Sequence, residues 1–105
     1  MANNETIKSE GQTEVLQEER ISEPDRYRVL LHNDDYTTMG FVVAILRAVF
    51  NKNPQEAEAI MLTVHENGVG QCGIYTKEVA ETKVHMVKHE ARLAGFPLRC
   101  SMEKV

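Results

Sequence analysis

Residues 27–39 read YRVLLHNDDYTTM. The run Tyr27-Arg28-Val29-Leu30-Leu31 is apolar apart from one Arg and fits a strand in length. Asn33, Asp34 and Asp35 end it, because short polar side chains that bond nearby backbone favour turns over regular structure. Thr37 or Thr38 then stands where a helix needs an N-cap, since Val42, Ile45, Leu46, Val49 and Phe50 follow three and four apart. Strand, turn and helix therefore meet within one short segment, and the acceptor-rich turn sits at the junction.

The rest of the chain extends this pattern. Asn51-Lys52-Asn53 breaks the first helix, and Asn53-Pro54-Gln55-Glu56 starts a second one with an N-cap, a first-turn Pro and a Glu placed for a capping box. That helix carries Ala57, Ile60, Met61 and Val64 on one side and closes at Asn67-Gly68. Gly70 to Tyr75 reads as a short strand weakened by Gly70 and Gly73. Thr76 can cap a third helix with the stripe Ala80, Val84, Val87, Ala91 and Ala94, stopped by Gly95-Phe96-Pro97. Leu98, Cys100 and Met102 alternate with Arg99, Ser101 and Glu103 in a closing strand. The order β-α-α-β-α-β predicts an α+β two-layer sandwich, a three-stranded antiparallel sheet with three helices against one face.

Charge divides the chain in two. Residues 1–24 hold six glutamates against Lys8 and Arg20, the whole net charge of −4, and few large apolar residues besides Ile7, Val15, Leu16 and Ile21. They read as a flexible acidic extension with at most a frayed helix around Thr13–Arg20. Residues 25–105 balance ten acids against ten Lys and Arg, so no broad basic face is left to neutralise nucleic-acid phosphates. No apolar run reaches the length of a membrane helix, and the Glu-rich start resembles neither a secretory signal nor a transit peptide. Cys72 and Cys100 are too few for a disulfide framework or a zinc pattern, which suits a reducing cytoplasm.

The polar residues with most chemical promise are Asn33, Asp34, Asp35 and His65. A short connection implies an antiparallel helix pair, which brings the start of the first helix to the end of the second. His65 would then face the acidic turn, with Met39, Val42, Met61 and Val64 around a gap. His85 and His89 stand four apart on the third helix, but no third metal ligand accompanies them. A hydrolase lacks its parts: no nucleophile elbow and no Gly-rich oxyanion loop is present. No cofactor is expected. His32 beside Asn33 has no evident role at this level.

The blocks VLLHNDDYTTM (29–39), MLTVHENGVGQCGIYTKEVAETKV (61–84) and FPLRCSMEK (96–104) resemble the ClpS family of bacterial Clp protease adaptors, in the family's order and spacing. The resemblance implies a non-enzymatic, monomeric cytoplasmic adaptor. It would bind N-degrons, substrates whose first residue is Leu, Phe, Tyr or Trp, and deliver them to a ClpA-type or ClpC-type AAA+ unfoldase. It implies that Asn33, Asp35 and His65 grip the α-amino group, with Asp34 and Thr37 shaping the loop. Thr37, Met39, Val42, Met61, Val64 and Leu98 would form the side-chain pocket, with Met39 as gate against β-branched residues. Glu78 and Lys83 would belong to the surface that meets the unfoldase's N-terminal domain, and the extension would enter its pore. Two positions depart from the family pattern: Thr38 where many members carry Pro, which predicts a looser turn, and Gly40 where many carry an acid.

Overall fold

The computed structural model describes residues 24–105. The helix expected around Thr13–Arg20 and the flexibility expected before Pro24 fall outside the described residues. The elements run β1 (Arg26–His32), α1 (Met39–Ala48), α2 (Pro54–Asn67), β2 (Val69–Thr76), α3 (Lys77–Ala94) and β3 (Arg99–Lys104). The strands form one antiparallel sheet in the order β2-β1-β3, so the α+β architecture expected from the pattern is the one observed.

β1 is central, and its Val29-Leu30-Leu31 run is the longest apolar stretch of the three strands. Val29 and Leu31 have no exposed surface, while Arg28, Leu30 and His32 lie on the alternate face. The helices cover Val29 and Leu31 with Val42, Ile45 and Leu46 from α1, Ala57, Met61 and Val64 from α2, and Ala80, Val87 and Ala91 from α3. The expected stripe on α3 is one residue too long, since Ala94 in the last turn is exposed. β2 is irregular opposite β1: Val29 pairs with Gly73 and Leu30 with Gln71, which leaves Cys72 as the extra residue of a bulge. Cys72 and Cys100 are both buried, and burial pushes both thiols up, Cys100 to about 12, so neither is ionised near neutral pH.

The helix ends follow local chemistry. Asn53 and Glu56 close a reciprocal capping box, with Glu56 N–H donating to Asn53 Oδ1 at 2.8 Å and Asn53 N–H to Glu56 Oε1 at 3.0 Å. Gly68 ends α2 at φ 88°, a left-handed conformation that a Cβ would strain. Thr76 stands at the N-cap of α3 without a side-chain cap bond, so its position alone was legible. Asn51 takes φ 56° where the chain turns from α1 toward α2. Lys83 reaches across from α3 and donates to Val49 O at 2.7 Å, capping the C-terminal end of α1. Its ammonium also lies 5.7 Å from the Tyr75 ring centroid. Phe41 of α1 packs on Phe96 of the α3–β3 turn, centroids 4.9 Å apart.

Gly70 fixes how closely β2 approaches α2. A Cβ at this position would lie 2.6 Å from Val64 Cγ2, nearer than two carbons can sit. Val64 is buried and β-branched, so it has few rotamers in which to yield. Gly70→Ala should therefore lower stability by about 1–3 kcal/mol in chemical denaturation. An unchanged denaturation midpoint would show that the two elements can separate freely.

Candidate functional site

The turn between β1 and α1 is built around Asp34. Its Oδ1 accepts from the N–H groups of Tyr36 and Thr37 at 2.8 and 2.7 Å, and its Oδ2 accepts from Thr37 Oγ1 at 2.7 Å. Burial alone would push the Asp34 carboxyl up, but these hydrogen bonds from Thr37 and Tyr36 outweigh it and hold its pKa below the usual value. Asp34 is thus occupied within the loop. Among the described residues, the side-chain hydrogen bonds of this turn all end on Asp34, leaving the acceptors of Asn33 and Asp35 available to an incoming group.

Thr38 follows as the N-cap of α1, with φ −73° and ψ 152°, and its Oγ1 accepts from Phe41 N–H at 3.1 Å. Where many family members are expected to carry Pro, the Thr38 hydroxyl bonds the first turn through a contact that Pro could not make. Gly40, the other departure, has open space where a side chain would stand, with nothing within 4 Å of a Cβ. The first turn of α1 carries no acid.

Between this turn and the end of α2 lies a cavity of about 250 Å³. Asn33, Asp34, Asp35 and Thr37 line it from the turn, Met39 and Val42 from the first turns of α1, and Met61, Val64 and His65 from the last turns of α2. Val42, Met61 and Val64 are at most 8% exposed, while Met39 at 45% stands at the opening. The two helices meet start to end, as their short connection requires, because Asn33 N–H donates to Gly68 O at 2.9 Å and ties the turn to the C-cap of α2. His65 rides on the last turn of α2, at the edge of the cavity.

Leu98 is placed differently from the other expected pocket residues. It is 5% exposed in the core and borders a hollow with Phe96, Pro97 and Cys100, so it does not line the cavity at the turn. Glu78 is exposed in the first turn of α3, whereas Lys83 is half-buried and spends its ammonium on the α1 cap. The residue that sequence reasoning left without a role is His32. Its ring contacts Ser101 and Arg99 on β3, pairings that only the strand register reveals. No group of three or more His, Cys, Asp and Glu able to hold a metal ion occurs among the described residues, His85 and His89 included. No helix among them is long and apolar enough to cross a membrane.

Chemically the cavity is an apolar slot with a cluster of acceptors at one edge. At about 250 Å³ it lies just below the span of drug-sized ligand sites, about 300–1,000 Å³, and suits one side chain with a small polar head.

The family model described as ATP-dependent Clp protease adaptor protein ClpS matches residues 22–101. The ATP-dependent Clp protease adapter protein ClpS of Oleidesulfovibrio alaskensis is 64% identical over 92 residues, covering 88% of each chain. Its counterpart from Nitratidesulfovibrio vulgaris is 62% identical over 93 residues, covering 89% of this chain and 93% of that one. A solved structure of Agrobacterium tumefaciens ClpS2 bound to L-phenylalaninamide superposes with a TM-score of 0.77 at 35% identity, covering 79% of this chain and all of that one. Those relatives are named as adaptors rather than enzymes, and on sequence and fold together this chain belongs to the ClpS family of adaptor proteins of the ATP-dependent Clp protease.

Proposed function

We propose that this chain binds the free α-amino group and first side chain of N-degron substrates beginning with Leu, Phe, Tyr or Trp. It then delivers them, as a cytoplasmic monomer in a bacterium, to a ClpA-type AAA+ unfoldase. The observation that carries this reading is the pairing, in one small cavity, of the acceptors Asn33, Asp35 and His65 with the apolar Met39, Val42, Met61 and Val64. The relative bound to L-phenylalaninamide holds a ligand of that chemistry, a free α-amine next to a large apolar side chain.

The energetics require both halves. An α-ammonium has three donors and a positive charge, so it is matched by acceptors converging from several directions, directly or through water. Hydrogen bonds to charged groups contribute about 1.5–3 kcal/mol each. Burying a Leu or Phe side chain adds about 1.5–3 kcal/mol. After the cost of ordering a peptide end, affinity in the low-micromolar range, about −8 kcal/mol, is the natural outcome. A blocked amine or a small first residue forfeits one half and with it most of the affinity.

A fluorescent peptide beginning with Leu should therefore bind and remain intact, while its N-acetylated twin should not bind. Asn33→Ala or Asp35→Ala should weaken the free peptide by about ten- to a hundredfold. Equal binding of the acetylated and free peptides would sink the assignment.

Met39 stands at the opening, where a branch at the substrate's β-carbon brings the most bulk. Met39→Ala should admit peptides beginning with Ile or Val, which the parent protein rejects. Continued rejection by that variant, with Leu still bound, would place the gate elsewhere.

For the unfoldase, Glu78 is the clean probe of the proposed surface on α3, and residues 1–24 are the proposed arm for its pore. Glu78→Lys should reduce degradation of a Leu-initiated reporter by a reconstituted unfoldase and protease while leaving peptide affinity unaltered. A reporter degraded at the parent rate would remove Glu78 from that surface. Lys83 is less informative, because Lys83→Ala also removes the cap of α1.

A further inference from the structure

His32 is the last residue of β1 and immediately precedes Asn33. Its side chain lies on the alternate sheet face from Val29 and Leu31, and there it spans two positions of β3. His32 Nδ1 lies 3.3 Å from Arg99 Nη2, and His32 Nε2 lies 2.6 Å from Ser101 Oγ. A guanidinium can only donate, so Nδ1 must be the acceptor, and the ring proton sits on Nε2 and is donated to Ser101 Oγ. The pair with Arg99 lies directly across the ladder and the one with Ser101 runs diagonally, so the ring fastens the last rung of the β1–β3 pairing. The following backbone group, Asn33 N–H, makes the bond to Gly68 O that joins the turn to α2.

We propose that His32 is a positioning residue for the amine site: its neutral ring clamps the end of β1 to β3, fixes Asn33, and lets go on protonation. A proton on Nδ1 would replace the accepted hydrogen bond with two cations 3.3 Å apart. The charges that face the ring are those of β3, Arg99 against protonation and Glu103 in its favour, with Glu103 shared by Arg28 at 3.4 Å. On β2 the residue in register with His32 is Val69, which carries no charge, and Asp34 and Asp35 follow on the turn just beyond. Partial burial and then Arg99 hold the imidazole pKa below its ordinary 6.5, and Glu103 offsets only part of that. The clamp's contribution to stability is therefore complete above the ordinary value and disappears as pH falls through the lowered one.

The inference rests on the assignment of Asn33 to the α-amino group, and it separates from the role of His65 by mutation. Proton and peptide compete through the clamp, so each must weaken the other by the same factor. Binding of a Leu-initiated peptide to the full chain is followed from about pH 7.5 to about 5.5 for the parent, His32→Gln and Arg99→Gln. The glutamine amide in the first variant would keep an acceptor for Arg99 and a donor for Ser101 without a titrating proton. The parent should lose about three- to tenfold more affinity across this range than His32→Gln, because the two proteins differ only at position 32. Saturating peptide should lower the parent's His32 midpoint, read by NMR, by the matching factor. Arg99→Gln, which removes the opposing cation but not the burial, should lose part of the same extra pH dependence, and it carries the test if His32→Gln does not fold. In the free protein the Asn33 amide resonance should titrate with His32.

Superimposable binding profiles for the parent and the variants, or a His32 midpoint unmoved by peptide, would overturn the clamp. So would an Asn33 resonance indifferent to His32. Failure of the parent to bind at about pH 7.5 is a different result: it overturns the N-degron reading, while the Asn33 resonance still decides whether the clamp exists.

Discussion

The bond from Asn33 N–H to Gly68 O is the constraint on which the site depends. It joins the end of the central strand to the cap of α2, two points distant in sequence, and so decides that the acidic turn and His65 share one cavity. Everything near it is arranged to keep that joint fixed. Asp34 holds the turn from within, Thr38 locks the start of α1, and Gly68 supplies the only backbone conformation that ends α2 there without a strained side chain. An exposed turn with this many internal bonds loses little entropy when a ligand arrives, which is why acceptors on a loop can still be selective.

Division of labour within the turn follows from chemistry. A carboxylate offers two oxygens, and Asp34 commits both to its own loop, which makes the neighbouring Asp35 and Asn33 rigid acceptors rather than competing partners for the same N–H groups. At the opposite end of α1, Lys83 plays the matching part. It neutralises the exposed carbonyl end of a helix whose first turn lines the cavity, so α1 is held at both ends by side chains from outside its own span.

Much of this was legible in the residues. The capping box at Asn53 and Glu56, the stop at Gly68, the apolar run of β1 and the alternation in β3 are local signals, and each appears where its chemistry places it. The grouping of Met39 and Val42 with Met61, Val64 and His65 was legible one step further, because a short connection leaves two helices little choice but to run back along each other. What escaped depends on long-range register. The bulge at Cys72 arises from how β2 meets β1, and Leu98 borders a hollow with Phe96 and Cys100 that is formed only once α3 and β3 are in place. His32 had no readable partner, since Arg99 and Ser101 are remote in sequence and only strand pairing brings them near.

The central place of β1 has a mechanical consequence. The extension joins the fold at Arg26, the first residue of the one strand that is bonded on both edges. Tension applied along the axis of β1 acts in shear and therefore loads both ladders together instead of peeling bonds away one rung at a time. An edge strand at the same attachment point would offer half the rungs.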